Sequence, residues 1–171
     1  MKRCLIPILT ILVLASGLLL ANCTRTVNVS SAERNKAVMF YKELYPIVQE
    51  LKQVTDEWNN WNAQARQEEY ESQIINKCDY FEAKLRVLAS KLVVIDTPPS
   101  LIDLQDKTFS AINRRSEAFA LMKQYALTGK ESYYQKAESS PLESMNLMSL
   151  AAKEYDKGLS RYGIKPSEVT K

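Results

Sequence analysis

No histidine occurs anywhere in the 171 residues. That removes Ser–His and Cys–His nucleophilic pairs, His-ligated zinc, Glu-x-x-His di-iron bundles and His-ligated haem together. Gly129, Gly158 and Gly163 are the glycines beyond the leader, too scattered for a dinucleotide fingerprint or a P-loop. Four groupings of chemistry-bearing residues remain. Trp58-Asn59-Asn60-Trp61-Asn62 places two indoles around amides, a combination that stacks on and hydrogen-bonds a sugar or a protein partner. Arg114-Arg115 is a basic pair suited to an anionic ligand. Glu68, Glu69 and Glu71 crowd one segment, and Cys78 is a lone thiol.

Each grouping also has an architectural reading. Cys78 falls in phase with an apolar stripe and reads as a small buried hydrophobe. Consecutive glutamates on a helix point in different directions, so Glu68, Glu69 and Glu71 read as complements to the positive end of a helix dipole. Arg114 and Arg115 interrupt a stripe; they read as solvent-seeking side chains with Ser116 at the core position. Trp58 is on a stripe and reads as core. Trp61 is the contact candidate, with Asn60, Asn62 and, from a second turn at the same end, Lys130. No residue cluster has metal-ligand spacing, and no cofactor is expected.

These residues must be positioned by helices. Glycine and proline are scarce beyond the leader, well below the usual share of about 12%. Between the few turns the apolar residues recur every three or four positions. Ala37, Tyr41, Leu44, Val48, Leu51, Thr55 and Trp58 form the first stripe, started by a cap at Ser30 or Ser31 and kinked at Pro46. A turn is expected at Asn59–Asn62. Tyr70, Ile74, Cys78, Phe81, Leu85, Leu88, Leu92 and Ile95 form the second. Thr97-Pro98-Pro99 stops it, and Ser100 with Asp103 is expected to cap the third, which carries Leu101, Leu104, Thr108, Ile112, Phe119, Met122 and Ala126. Gly129 ends that helix. The fourth covers about 131–162 with Tyr134, Ala137, Pro141, Met145, Met148, Ala152, Tyr155, Leu159 and Tyr162, and a joint near Ser140. The expected architecture is all-α: an antiparallel up-and-down four-helix bundle over 31–163, after an N-terminal signal segment (1–22) and a tether (23–30), with a flexible tail at 164–171.

The leader has its own logic. Met1-Lys2-Arg3 is followed by an apolar run from Leu5 to Leu20, the layout of a secretory signal. Leu20-Ala21-Asn22-Cys23 resembles a bacterial lipobox, with Asn22 where Gly, Ala or Ser is usual. The resemblance implies a diacylated Cys23 as the new N-terminus, and in a two-membrane bacterium, without Asp at position 24, the outer membrane. Cleavage after Ala21 by ordinary signal peptidase and an uncleaved anchor are the alternatives. An unlipidated Cys23 would be available to pair with Cys78. The net charge of +3 falls to +1 when Lys2 and Arg3 leave with the leader, so nothing electrostatic favours nucleic acid.

From Thr97 onward the chain resembles small bacterial lipoproteins in which a Pro-Pro turn opens a helical hairpin, a Gly turn follows and an Ala/aromatic helix closes the domain. Thr97-Pro98-Pro99, Leu101, Leu104, Thr128-Gly129 and Ala137 carry that likeness, over about 70 residues. It implies an envelope location and a helical fold, and no catalytic residue. The expectation is a membrane-anchored, extracytoplasmic, non-enzymatic bundle that binds a protein or envelope component. The alternative is a small-ligand binder beside Arg114 and Arg115. Helix alternation sends the first and third turns to the tip away from the anchor, and the Pro98-Pro99 turn and C-terminus to the base.

Overall fold

The computed structural model describes residues 29–65 and 67–170, and for 67–71 the backbone alone. The leader, Cys23 and most of the tether lie outside the described residues, as does the Glu68, Glu69, Glu71 side-chain cluster. Four long helices follow one another: α1 (Ser31–Gln64), α2 (Gln67–Val93), α3 (Ile102–Thr128) and α4 (Glu131–Tyr162). They pack in sequence, α1 on α2, α2 on α3 and α3 on α4, as an up-down bundle requires when connections are short.

Ser30 starts α1 with a reciprocal cap. Its hydroxyl accepts from the Glu33 amide at 3.2 Å, and its own amide donates to Glu33 Oε2 at 3.1 Å. That hydrogen-bonding holds the Glu33 carboxyl below its usual range. The helix runs on through Pro46, which lies on the exposed face, where the Lys42 carbonyl that loses its amide partner can take water instead. The turn expected at Asn59–Asn62 does not form. Helix continues to Gln64, because Trp58 and Trp61, one turn apart, pack ring to ring at 5.2 Å and no residue there requires a left-handed backbone.

Two start signals in the sequence go unused. Ser100 does not cap α3; its hydroxyl pairs with that of Tyr162. A short 3-10 turn, Pro99–Leu101, precedes α3, with the Leu101 amide bonded to Pro98 O at 2.8 Å, so the chain is already wound when α3 begins. Ser140-Pro141 does not divide α4 either. The Ser140 hydroxyl donates backward to Lys136 O at 3.1 Å, and the helix is continuous across Pro141.

The core follows the stripes with one shift. Ile74, Cys78, Phe81, Leu85, Leu88, Leu92 and Ile95 of the second stripe are all buried. In α1, Phe40, Ile47 and Val54 join the expected face, because α1 meets α2, α3 and α4 along its length and buries a wider arc. In α4 Tyr134, Ala137, Leu159 and Tyr162 are buried as expected, but between them Ser140, Ser144, Ala151 and Gly158 are buried in place of Pro141, Met145, Met148 and Ala152. Small residues win there because close backbone approach is most extensive between α3 and α4; Ser144 Oγ reaches the Ala111 carbonyl, and Ala111 and Ala118 of α3 are buried too. The larger Met145 and Met148 flank that contact and are half-buried.

The base of the bundle also differs from expectation. Lys91, near the end of α2, pairs with Glu50 of α1 at 2.7 Å, so nearly five turns of α1 extend past α2. The tail covers part of that exposed length. Ile164 and Val169 are buried in the common core, and Arg34 of α1 reaches Glu168 at 2.7 Å and Gly163 O at 3.3 Å. The Lys165 amide and the Arg34 guanidinium hold the Glu168 carboxyl below its usual range. Residues 164–170 are therefore a docked segment rather than a flexible tail.

Candidate functional site

Near the tip, the outer groove between α1 and α2 opens into a cleft of about 590 Å³. Glu57, Asn60 and Trp61 line it from α1; Gln73, Asn76, Lys77, Tyr80 and Phe81 line it from α2. Helical spacing explains the set. Glu57, Asn60 and Trp61 fall on one edge of α1, and Gln73, Asn76, Lys77 and Tyr80 fall on the facing edge of α2 at steps of three and four. The floor is aromatic. Trp58 meets Phe81 at 5.5 Å and Phe119 at 4.8 Å, both edge to face. Trp61 leans on Trp58, with Lys77 Nζ 5.8 Å from its ring centre. Tyr80 is 48% exposed, with Lys84 Nζ 4.6 Å from its ring and 2.7 Å from Glu57. Bonds to Glu57 and Tyr80 raise the Lys84 ammonium pKa.

The cleft unites Asn60 and Trp61 of the sequence candidates. It excludes Asn62, half-buried on α1, and Lys130, exposed in the turn between α3 and α4. Trp58 is core, 7% exposed. Gln73, Asn76, Lys77 and Tyr80 were legible only as the polar face of α2; their role depends on which edge of α2 meets α1, which periodicity alone does not specify. A second groove between α1 and α2, of about 420 Å³, lies toward the base around Pro46, Ile47 and Val94.

Arg114 and Arg115 separate. Arg114 is exposed and pairs with Glu117 at 2.7 Å and Glu143 at 3.0 Å. Arg115 turns inward instead of reaching solvent. Its Nε donates to Ser144 Oγ at 2.9 Å and its Nη1 to Thr55 Oγ1, bridging α1, α3 and α4. Ser144 Oγ in turn donates to Ala111 O at 2.9 Å, and Thr55 Oγ1 to Leu51 O at 2.9 Å. Burial pulls the guanidinium down to about 10, partly offset by Asp56. It stays protonated at neutral pH, so its desolvation opposes folding there and is relieved only above pH 10. Neither arginine lines either cleft. Arg115→Met is expected to leave thermal stability within about 1 kcal/mol or raise it, because both hydroxyls keep their carbonyl partners. A loss above about 3 kcal/mol in a denaturant melt would show that the charge itself supports the fold.

Cys78 is a free, fully buried thiol, and burial pushes it up to about 12; that fits packing rather than chemistry. Among the described residues, no group of three His, Cys, Asp or Glu side chains is placed to hold a metal, and no helix is long and apolar enough to cross a membrane. Comparison of the chain with known families, with curated proteins and with solved structures yields no match.

Proposed function

We propose that this protein is a lipid-anchored, extracytoplasmic, non-enzymatic bundle that binds a protein or envelope component through the α1–α2 cleft near its tip. The observation that carries the reading is the lining of that cleft: three aromatic side chains, three carboxamides, Lys77 and Glu57 on an open surface. Such rims, part apolar and part hydrogen-bonding, are the chemistry of protein contact surfaces. The interior supports a partner over an internal small ligand, since Phe40, Tyr41, Leu44, Leu85, Leu88, Leu92 and Ile112 fill it. The leader and Leu20-Ala21-Asn22-Cys23 support the anchor. With acyl chains on Cys23, about 0.8 kcal/mol per buried methylene is available, and two or more chains anchor stably. The turn at Ala65 then stands about 50 Å from the anchored end of α1.

Photocrosslinking in the native membrane tests the contact. Probes at Asn60 and at Asn76, both exposed and both in the cleft, are expected to trap a discrete adduct that a probe at exposed Val87 does not. Equal labelling from all three positions rejects the cleft as the contact. For the anchor, Cys23→Ser is expected to move the protein from the membrane fraction to the soluble fraction. Undiminished retention would make the apolar leader an uncleaved anchor instead.

A further inference from the structure

Four lysines are half-buried among the described residues: Lys77, Lys84, Lys107 and Lys123. Three of them meet a carboxylate, Lys84 that of Glu57, Lys107 that of Asp103 and Lys123 that of Asp79. A partly desolvated ammonium calls for such a partner. Lys77 is the exception. It enters no ion pair among the described residues, and its ammonium stands 5.8 Å from the Trp61 ring centre in the tip cleft. The acid that lines the same cleft, Glu57, is already engaged by Lys84.

The sequence explains the exception. Lys77, Lys84 and Lys91 follow one another at seven residues along α2, as Glu57 and Glu50 do along α1, and Glu57 pairs with Lys84 while Glu50 pairs with Lys91. One more step toward the tip sets Lys77 level with Gln64, an amide where the series calls for an acid. Its neighbours three and four residues away on α2 are Gln73, Ile74, Tyr80 and Phe81, so its own helix offers no carboxylate either. We infer that the partner supplies that carboxylate, an aspartate or glutamate side chain set on Lys77 beside Trp61, with the Asn60 and Asn76 amides as further donors. The inference rests on the tip cleft being the contact, and it names what binds there: an acidic protein segment. A half-buried pair of this kind fixes where the segment sits and selects against basic partners.

The test applies a carbodiimide, which joins an amine to a carboxylate in contact with it, to the full-length chain in its native membrane, beside the photoprobes at Asn60 and Asn76. An adduct of the same size as the photoadduct is expected, its link mapping to Lys77 and to an aspartate or glutamate of the partner. Lys77→Arg keeps the charge but removes the amine, so the carbodiimide adduct is expected to disappear and the photoadduct to stay. Lys77→Gln is expected to lower the photoadduct about tenfold or more. Gln64→Glu, which gives Lys77 an acid within the chain, is expected to lower it too, and Gln64→Ala to leave it unchanged. Melting curves no lower than the parent's show that each variant folds. A photoadduct undiminished in Lys77→Gln overturns the inference and leaves the cleft contact standing. A link to a sugar acid also overturns it, since the partner would then be a glycan. No photoadduct from either probe removes the cleft contact itself, and this inference with it.

Discussion

Leu88→Asp is expected to abolish the cooperative unfolding transition, leaving a chain with little helical signal at 25 °C. Leu88 is 0% exposed on the inner face of α2. The substitution removes about 1.5–3 kcal/mol of apolar burial. It adds a carboxylate at a fully buried position, several kcal/mol more. Together these consume most of the 5–15 kcal/mol by which a domain is stable. Val87→Asp is the matched control. Val87 is one residue away and 53% exposed, so its melting curve is expected to shift by no more than about 0.5 kcal/mol. Circular dichroism melts of the pair decide the matter; similar curves for both would mean that α2 turns a different face inward.

Gly158→Ala is expected to lower stability by about 2–3 kcal/mol, the cost of overpacking a closed site. The direction is the informative part. In an exposed helix the same change gains about 1 kcal/mol. At position 158, inside α4, an added Cβ would overlap Tyr41 Oη and approach Leu101 Cδ2 to 2.9 Å. Tyr41 is fully buried, stacks edge-on against Tyr155 at 4.9 Å and donates its hydroxyl to Tyr155 O at 3.2 Å. Burial raises its pKa, so the hydroxyl stays protonated and can donate. The carbonyl it reaches lies one turn before Gly158, where a side chain would block the approach. For a domain of this size the loss corresponds to a melting temperature lower by about 4–12 °C. Tyr41→Phe alone gives up one hydrogen bond, about 1 kcal/mol. In the Gly158→Ala background it also removes the overlapping oxygen, so the double variant is expected to be more stable than the two losses added, by about 1 kcal/mol or more. Strict additivity would show that the clash is relieved elsewhere.

Much of the architecture was legible because helix periodicity is a local property. The α2 stripe from Ile74 to Ile95 lies wholly in the core, since one residue per turn in register with its neighbours leaves a single inward solution. Gly129 and Gly163 end their helices where the left-handed conformation of a C-terminal cap is needed. Where the reading slipped, two local signals competed. Asn59–Asn62 permits a turn without forcing one, and the packing of Trp61 on Trp58 extended the helix. Ser140-Pro141 is a good helix start in isolation, yet Ser140 bonds backward and α4 continues, because the α3 contact on both sides of Pro141 keeps one helix axis. The middle of the α4 face moved by one residue, between Ala137 and Leu159, because large apolar side chains signal burial in a sequence, whereas close helix contact is made by small ones.

The candidate site divides along the same line. Trp61 and Asn60 stand out in the sequence by residue type. Asn76, Gln73 and Tyr80 acquire meaning only when α2 is laid beside α1. Arg115 shows the limit most clearly. Its residue type argues for solvent, and only the meeting of Thr55 and Ser144 from helices distant in sequence supplies the hydroxyls that hold a cation inside.

By itself the sequence determined that the described residues are helical, that they form four long helices, which way these alternate, and that histidine chemistry is absent; these follow from periodicity, turn residues and composition, which act over a few residues at a time. The tertiary structure decided which edge of each helix meets which neighbour, and with it the cleft, the inward arginine, the glycine that admits Tyr41 and the docked C-terminal segment. Those depend on side-chain volumes and polar partners from segments far apart along the chain, and no local pattern encodes the distance between two helices.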